Sequence, residues 1–133
     1  MLDRFLDAQK TDYPIALQEI KNGRKTSHWI WYIFPQIEGL GSSDMNKKYS
    51  IHSKKEALEY YQHPVLSARL KEITQALSDL HESNPYTIFG NDARKVKSCM
   101  TLFYIVSKDR LFKKVLDQYY HGEMDRNTIK RLK

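Results

Sequence analysis

Two stretches of the sequence hold residue types that could bind a ligand. The first is Ser27 to Gly41, which reads SHWIWYIFPQIEGLG and contains both tryptophans of the chain. Large aromatic rings bury more surface than other side chains, so such a cluster serves either as the anchor of a core or as a stacking surface for a flat ligand. The second is Lys95 to Thr101, KVKSCMT, which combines cations with hydroxyl groups.

The aromatic stretch places stacking groups beside hydrogen-bonding groups. Residues three and four apart share a helix face, so a helix here places His28 over Trp31. Beyond it, Gln36 offers a donor and an acceptor, and the backbone at Gly39 and Gly41 can approach a ligand closely because no Cβ intervenes. The alternative is that the rings fill the core and the glycines shape a turn. The ligand-binding residues predicted from this stretch are Trp29, Trp31, Phe34, Gln36, Gly39, Gly41 and Ser42.

The cationic stretch lies on a predicted helix. Lys97 and Thr101 share a face, with Arg94 and Ser98 beside them, so the stripe could hold a phosphate or carboxylate through point charge and hydroxyl hydrogen bonds. The alternative is an exposed first half of a helix that leads into a buried second half. We assign all four residues to the predicted ligand site, together with His63 from the His-Pro junction.

Known catalytic signatures are absent from the sequence. There is no glycine-rich phosphate loop, paired-histidine zinc helix, nucleophile elbow, calcium loop or cysteine cluster. The five histidines are spread along the chain, so we predict no metal site and no cofactor. Glu38 and His28, both in the aromatic stretch, are the candidate acid-base residues. Cys99 is predicted to be a core thiol because its neighbours on the helix are apolar.

The apolar periodicity predicts an all-α fold: a compact single-domain orthogonal helix bundle of about six to eight helices around a central apolar helix. A first helix is expected from Leu2 to Gln9, and a second from Asp12 to Gly23 with Pro14 in its first turn. A third is expected from Ser27, as N-cap, to Phe34. A strand is the alternative for this third element, since its residues favour sheets.

The remaining helix starts are read from capping residues. The capping box of Ser53 and Glu56 opens one helix, and Pro64 opens another with a seam of leucine and isoleucine. The central apolar helix is predicted to end near Val106. Further starts are predicted at Ser43 or Asp44, Asn84, Asn91 or Asp92, Ser107 or Asp109, and Asp125.

The composition excludes several classes of protein. A chain of 133 residues with 41% hydrophobic residues predicts one domain, residues 1–133, with an ordinary core. The single cysteine forms no intrachain disulfide, and the start MLDRFLDAQK lacks the apolar run of a signal peptide, which predicts a cytoplasmic protein. No apolar run is long enough for a membrane helix. The net charge of +6 is spread over short pairs, which favours plain solubility or an anionic partner over specific nucleic-acid binding.

Several of these segments resemble a small bacterial family of unknown function that is often catalogued as calpastatin-like. The segments are GRKTSHWIWYIFPQIEGLGSS, HPVLSARL, DARKVKSCMTLF, FKKVLD and GEMD, and the resemblance extends over nearly the whole chain. The resemblance implies a compact, all-helical cytoplasmic protein with no established activity.

HPVLSARL and the region from KSCMTLF to KKVLD are also similar to the NADAR proteins, which are all-helical N-glycosidases that process ADP-ribose-linked and ribosylated substrates. That similarity implies that the aromatic helix stacks a base or nicotinamide-like ring and that Lys97 or Arg94 contacts a phosphate. It also implies that Glu38 acts on a water near the sugar carbon.

Three functions from different classes remain open at this point. The first is a small-molecule enzyme or binder whose nucleotide-like or ADP-ribose-like, phosphate-bearing ligand lies between the aromatic helix and the Lys97 helix. A cavity walled by Trp31, Gln36 and Ser98 would support it. The alternative is a protein-interaction module without chemistry, which needs an exposed apolar patch. A nucleic-acid binder is less favoured, and the residues leave open whether the chain is an enzyme.

Overall fold

The structure, a computed structural model, describes residues 2–133 and consists of helices joined by short loops. Within these residues there is no strand, and Ile37 and Ile51 form an isolated parallel bridge. The all-α prediction is confirmed. The helices are α1 Asp3–Lys21, α2 Ile30–Ile33, α3 Asp44–Tyr49, α4 Lys54–Gln62, α5 Pro64–Asp79, α6 Pro85–Phe89, α7 Ala93–Ser107, α8 Arg110–Tyr120 and α9 Arg126–Arg131, with a 3-10 turn at Gly90–Asp92.

The two helices predicted before Gly23 are one continuous helix, α1, so the predicted break was wrong. The buried stripe continues through the expected gap, because Gln9, Tyr13 and Ala16 all face the core and α1 packs against α5. Pro14 removes one backbone donor, but Pro14 and Lys10 are both exposed, so the carbonyl that loses its partner is on the solvent side. Burial of the stripe therefore outweighs the proline.

The helix predicted from Ser27 to Phe34 is only four residues long, because α2 spans Ile30–Ile33. Ser27 does not cap it. The Ser27 hydroxyl donates to the carboxylate of Glu19 at 2.5 Å, and the backbone N–H groups of Thr26 and Ser27 donate to the same carboxylate. The N-cap position of α2 is Trp29, so Ser27 lies two residues before it, in a loop that the Glu19 carboxylate at the end of α1 fixes.

The central helix is α7, as predicted. It packs against α4, α6, α8 and α9, and Val96, Cys99, Leu102 and Phe103 on it are fully buried. Cys99 is the predicted core thiol, and burial raises its pKa well above the ordinary value, which disfavours a nucleophilic thiolate.

Most predicted helix caps are confirmed by side-chain hydrogen bonds to backbone N–H groups. Asp92, by contrast, makes no cap bond and forms ion pairs with Lys25 at 3.0 Å and Lys95 at 2.9 Å. The caps that are formed are Ser43 on α3, Ser53 on α4, Asn84 on α6, Asp109 on α8 and Asp125 on α9. None of the helices in residues 2–133 has the length and apolarity needed to cross a membrane.

Candidate functional site

A polar cavity of about 300 Å³ lies where the turn after α2, the first half of α7 and the start of α9 meet. We call it the amide cavity because four carboxamide side chains line it. Cations, a hydroxyl group and a carboxylate complete the lining. The lining residues are Gln36, Leu40, Gly41, Asn46, Asn91, Arg94, Lys95, Ser98, Asp125 and Asn127.

The carboxamides leave hydrogen-bonding capacity unused. Asn46 donates from Nδ2 to Gln36 Oε1 at 3.3 Å, and within residues 2–133 the Nε2 of Gln36 has no acceptor. The side chains of Asn91 and Asn127 are exposed and form no hydrogen bond with other described residues. Each free carboxamide offers two donors and an acceptor, so the cavity presents both kinds of group to a ligand.

A chain of hydroxyl groups links α7 to α9 beneath the cavity. Ser98 and Thr128 are joined at 2.7 Å between their hydroxyl oxygens, and Thr128 donates its proton to Asp125 Oδ2 at 2.6 Å. Because Thr128 has one hydroxyl proton, Ser98 must donate to Thr128. Ser98 therefore offers the cavity an acceptor and no donor. Thr101, fully buried, accepts from the Asp125 N–H at 2.9 Å and completes this link.

The two cations of the amide cavity differ in their partners. Lys95 is 2.9 Å from Asp92, and its ammonium group is 5.8 Å from the centre of the Trp31 ring. Burial favours a raised pKa for Asp92, but the hydrogen bonds and charges of Lys95 and Lys25 outweigh it and lower the pKa. Arg94 is exposed and has no ion pair with any residue between 2 and 133. Arg94 is therefore the cation whose charge is not neutralised.

The structure brings together part of the predicted site. Gln36, Gly41, Arg94 and Ser98 all line the amide cavity. Trp31 is half-buried and does not line the cavity. Its ring lies next to the ammonium group of Lys95, which does line the cavity. The cavity thus has two of the three predicted walls, Gln36 and Ser98.

Other predicted residues lie elsewhere. Trp29 and Phe34 are 1% and 0% exposed, so neither ring offers a face to a ligand. Thr101 is fully buried and does not line the amide cavity. His63 is away from the cavity at the start of α5, where its Nδ1 accepts from the N–H groups of Val65 and Leu66.

The remaining predicted residues are on the surface. Lys97 lines a neighbouring cleft, described below. His28 and Ser42 are exposed, and their side chains form no hydrogen bond within the described residues. Glu38 is exposed and is 3.2 Å from the ring nitrogen Nδ1 of His52, outside the amide cavity.

Side chains of the protein itself lie against the backbone of the turn that contains Gly39 and Gly41. A Cβ on Gly39 would lie 2.2 Å from Nη2 of Arg131, whose Nε donates to the Glu38 carbonyl at 3.1 Å. A Cβ on Gly41 would lie 2.9 Å from the Asn46 amide. The predicted close approach is thus used by side chains of α9 and α3.

We expect Gly39→Ala to lower the free energy of unfolding by about 1 to 2 kcal/mol. Gly39 has φ +92°, which strains any residue with a Cβ, and the methyl group also displaces the Arg131 guanidinium. Urea denaturation measures the loss in the wild-type and Arg131→Ala backgrounds. A smaller loss without the arginine shows that the guanidinium contact contributes, whereas no loss in either background contradicts the expectation.

Sequence reasoning missed Asn46, Asn91, Asp125 and Asn127. Asn46 is 7% exposed, but its burial depends on tertiary packing and is not visible in the sequence. Asn91 and Asn127 carry no sequence signal either, because asparagine is common at exposed helix starts that bind nothing.

The comparisons with known proteins give a family and a relative of known structure. The model of the family described as "Protein of unknown function (DUF1810)" matches residues 1–132. The crystal structure of the conserved hypothetical protein Rv1873 from Mycobacterium tuberculosis is 40% identical, with 98% of this chain and 95% of that chain covered and a TM-score of 0.96.

No functionally curated protein matches the sequence. The relations to calpastatin-like and NADAR proteins stay predictions, because neither name appears among these findings. A family model that matches all but the last residue is sufficient to assign the family. The chain belongs to the DUF1810 family of proteins of unknown function.

Proposed function

We propose that the chain binds a small sugar phosphate or nucleotide in the amide cavity. The observation that carries the proposal is the combination, in one cavity, of Arg94, which has no ion pair among residues 2–133, with free carboxamides and with the acceptors Ser98 and Asp125. A phosphate and a polyhydroxylated ring need these two kinds of partner.

The phosphate would bind at Arg94. A guanidinium group presents a planar fork of donors that matches two phosphate oxygens, and such charge-assisted bonds are about twice as strong as neutral ones. Lys95, whose charge is shared with Asp92, adds attraction at the same wall. Arg94 needs no rearrangement of an existing ion pair within residues 2–133 to bind an anion.

The sugar hydroxyl groups would bind at Ser98, Asp125 and the carboxamides. Ser98 Oγ is an acceptor because its proton is used by Thr128, and Asp125 Oδ1 has no hydrogen bond among the described residues. Hydroxyl protons of a sugar supply the matching donors, and the carboxamides of Gln36, Asn91 and Asn127 bind hydroxyl groups as donor or acceptor.

The size of the cavity limits the ligand. A volume of about 300 Å³ is at the lower end of the range of small-molecule sites. It is suited to a sugar phosphate or the sugar-phosphate half of a nucleotide. None of the described residues that line the amide cavity is aromatic.

An enzymatic version of the proposal, such as N-glycosidase-like hydrolysis, needs a carboxylate at the ligand. Asp125 lines the amide cavity and Glu38 does not, so Asp125 replaces Glu38 as the candidate acid-base group. Asp125 also caps α9, accepting the Thr128 N–H at 2.9 Å. Binding alone, without catalysis, needs no residue beyond those that line the cavity. The first experiments therefore measure binding.

Calorimetry and thermal shift with ribose 5-phosphate, glucose 1-phosphate, AMP and ADP-ribose test the proposal. A ligand at a hundred times its Kd should add about 2.7 kcal/mol of stability. Arg94→Gln should weaken binding by about tenfold or more, because it removes a charge-assisted hydrogen bond.

The matched control is Arg110→Gln, an exposed arginine at the start of α8 that does not line the cavity. It should bind as the wild type does. No binding of any of the four compounds would contradict the proposal and leave the protein-interaction module. Equal weakening by both arginine variants would show that binding reflects net charge alone.

A further inference from the structure

A second cleft, of about 490 Å³, adjoins the amide cavity across Arg94. We call it the tyrosine cleft, and Tyr86, Arg94, Lys97, Tyr120 and His121 are among its lining residues. We propose that the tyrosine cleft binds the flat ring of the same ligand, which makes the ligand a nucleoside diphosphate sugar. This inference rests on the proposed function, because the sugar end is assigned to the amide cavity.

Arg94 is the residue that joins the two sites. It lines both the amide cavity and the tyrosine cleft, is exposed, and has no ion pair with any residue between 2 and 133. A ligand that occupies both sites must pass next to the guanidinium group of Arg94. The part of the ligand that lies there should therefore be anionic. A guanidinium fork can bond to oxygens of two adjacent phosphates.

Tyr86 is the aromatic group available for stacking. It is 56% exposed, the highest value among the exposed large hydrophobic residues. Its backbone is fixed, because its N–H donates to the Asn84 side chain at 2.9 Å, while its hydroxyl group has no hydrogen bond among the described residues. An open ring on a fixed segment of backbone is suited to stack on a base.

The other tyrosines of the cleft are structural. Tyr119 donates to the Leu77 carbonyl at 2.7 Å, and Tyr120 donates to the Ala93 carbonyl at 2.6 Å. Both are buried and fixed by these bonds, so they form the wall against which a ring would lie. The tyrosine cleft thus supplies the aromatic surface that the lining of the amide cavity lacks.

The charge of the tyrosine cleft agrees with an anionic ligand. Arg94 and Lys97 carry positive charge, and His121 adds to it when protonated. Glu123 is the carboxylate of the lining. This balance favours a phosphate near Arg94 and Lys97 and leaves Glu123 as an acceptor for a base or ribose donor.

The test compares two compounds that differ by one nucleotide unit, glucose 1-phosphate and ADP-glucose. On the wild type, ADP-glucose should bind about tenfold or more tightly than glucose 1-phosphate, because its base can stack on Tyr86. Tyr86→Ala should abolish this preference and leave glucose 1-phosphate binding unchanged. Tyr86→Phe should retain it, because the ring remains.

Two further variants separate this inference from the proposed function. The double variant Asn91→Ala/Asn127→Ala removes exposed carboxamides of the amide cavity and should weaken both compounds. Leu58→Ala, 39% exposed on α4, is the control for loss of surface apolar area and should change neither.

The outcomes are distinct. Failure of both compounds to bind overturns this inference, and if ribose 5-phosphate, AMP and ADP-ribose also fail to bind, the proposed function is overturned with it. Binding of glucose 1-phosphate with no gain for ADP-glucose, or a gain that survives Tyr86→Ala, overturns the inference alone. Loss of ADP-glucose binding with Tyr86→Ala but not with the double variant shows a separate site in the cleft and overturns the spanning ligand.

Discussion

Replacing Trp29 with alanine is expected to lower the free energy of unfolding by about 4 kcal/mol, which is the usual cost of truncating a buried tryptophan. Trp29 is 1% exposed, and its ring centre is 6.2 Å from that of Phe34. Its indole nitrogen also donates to Glu19 at 2.9 Å, so the truncation leaves a cavity and removes one of the hydrogen bonds to this carboxylate. Urea denaturation followed by far-ultraviolet circular dichroism measures the loss.

Trp31→Ala is the matched control for Trp29→Ala. Trp31 is half-buried and contacts Lys95 through its ring face, so its loss should cost clearly less, about 1 to 2 kcal/mol. A similar loss for both tryptophans would contradict the division of the aromatic stretch into a core half and a surface half. The comparison also matters for binding experiments. If Trp29→Ala binds no ligand, the cause is lost stability and not the loss of a contact between Trp29 and the ligand.

Glu19→Ala is expected to lower the free energy of unfolding by about 3 kcal/mol, because hydrogen bonds to a charged group contribute roughly 1.5 to 3 kcal/mol each and several are lost. The carboxylate accepts from Thr26, from the N–H and hydroxyl of Ser27, and from Trp29. These bonds fix the loop that leads to α2. Thermal and urea denaturation measure the loss.

Two further variants are compared with Glu19→Ala. Glu19→Gln keeps one oxygen acceptor and should cost less than alanine. Glu59→Ala, at an exposed position of α4, should change stability by no more than about 0.5 kcal/mol. Equal stability of Glu19→Ala and Glu59→Ala would show that the loop is held by other contacts.

The contribution of Glu19 should depend on pH. Burial alone raises the pKa of this carboxyl group, but the hydrogen bonds from Ser27, Thr26 and Trp29 outweigh it and lower the pKa to about 2. A lowered folded-state pKa gives stability that is complete above the unfolded-state value, near 4.5, and is lost as the pH falls towards 2. The stability difference between wild type and Glu19→Gln should therefore shrink between about pH 5 and pH 2.

Local signals predicted the helix starts well and the loop before α2 poorly. Ser43, Ser53 and Asp109 cap helices as expected, because a cap is decided by residues within one turn. Ser27 has the same local pattern, but its hydroxyl bonds to Glu19, eight residues earlier. The Glu19 carboxylate holds Thr26 and Ser27 in a loop and the helix begins only at Ile30, which a local window around Ser27 does not show.

The residues of the candidate site also fall into two groups, those that local spacing predicted and those that it did not. Arg94 and Ser98 were predicted because both lie on one helix, where spacing sets the face. Asn127 was not, because it reaches the amide cavity only through the packing of α9 on α7. The fold class follows from periodicity, whereas the cavity depends on contacts between distant segments.

The position of Cys99 has a practical consequence for experiments. It is the one cysteine of the chain and is fully buried in α7. Maleimide dyes and cross-linkers require an accessible thiolate, so the native protein has almost no background reaction with them. A cysteine introduced at an exposed position beside either site can therefore carry a fluorophore or spin label without first removing the natural thiol.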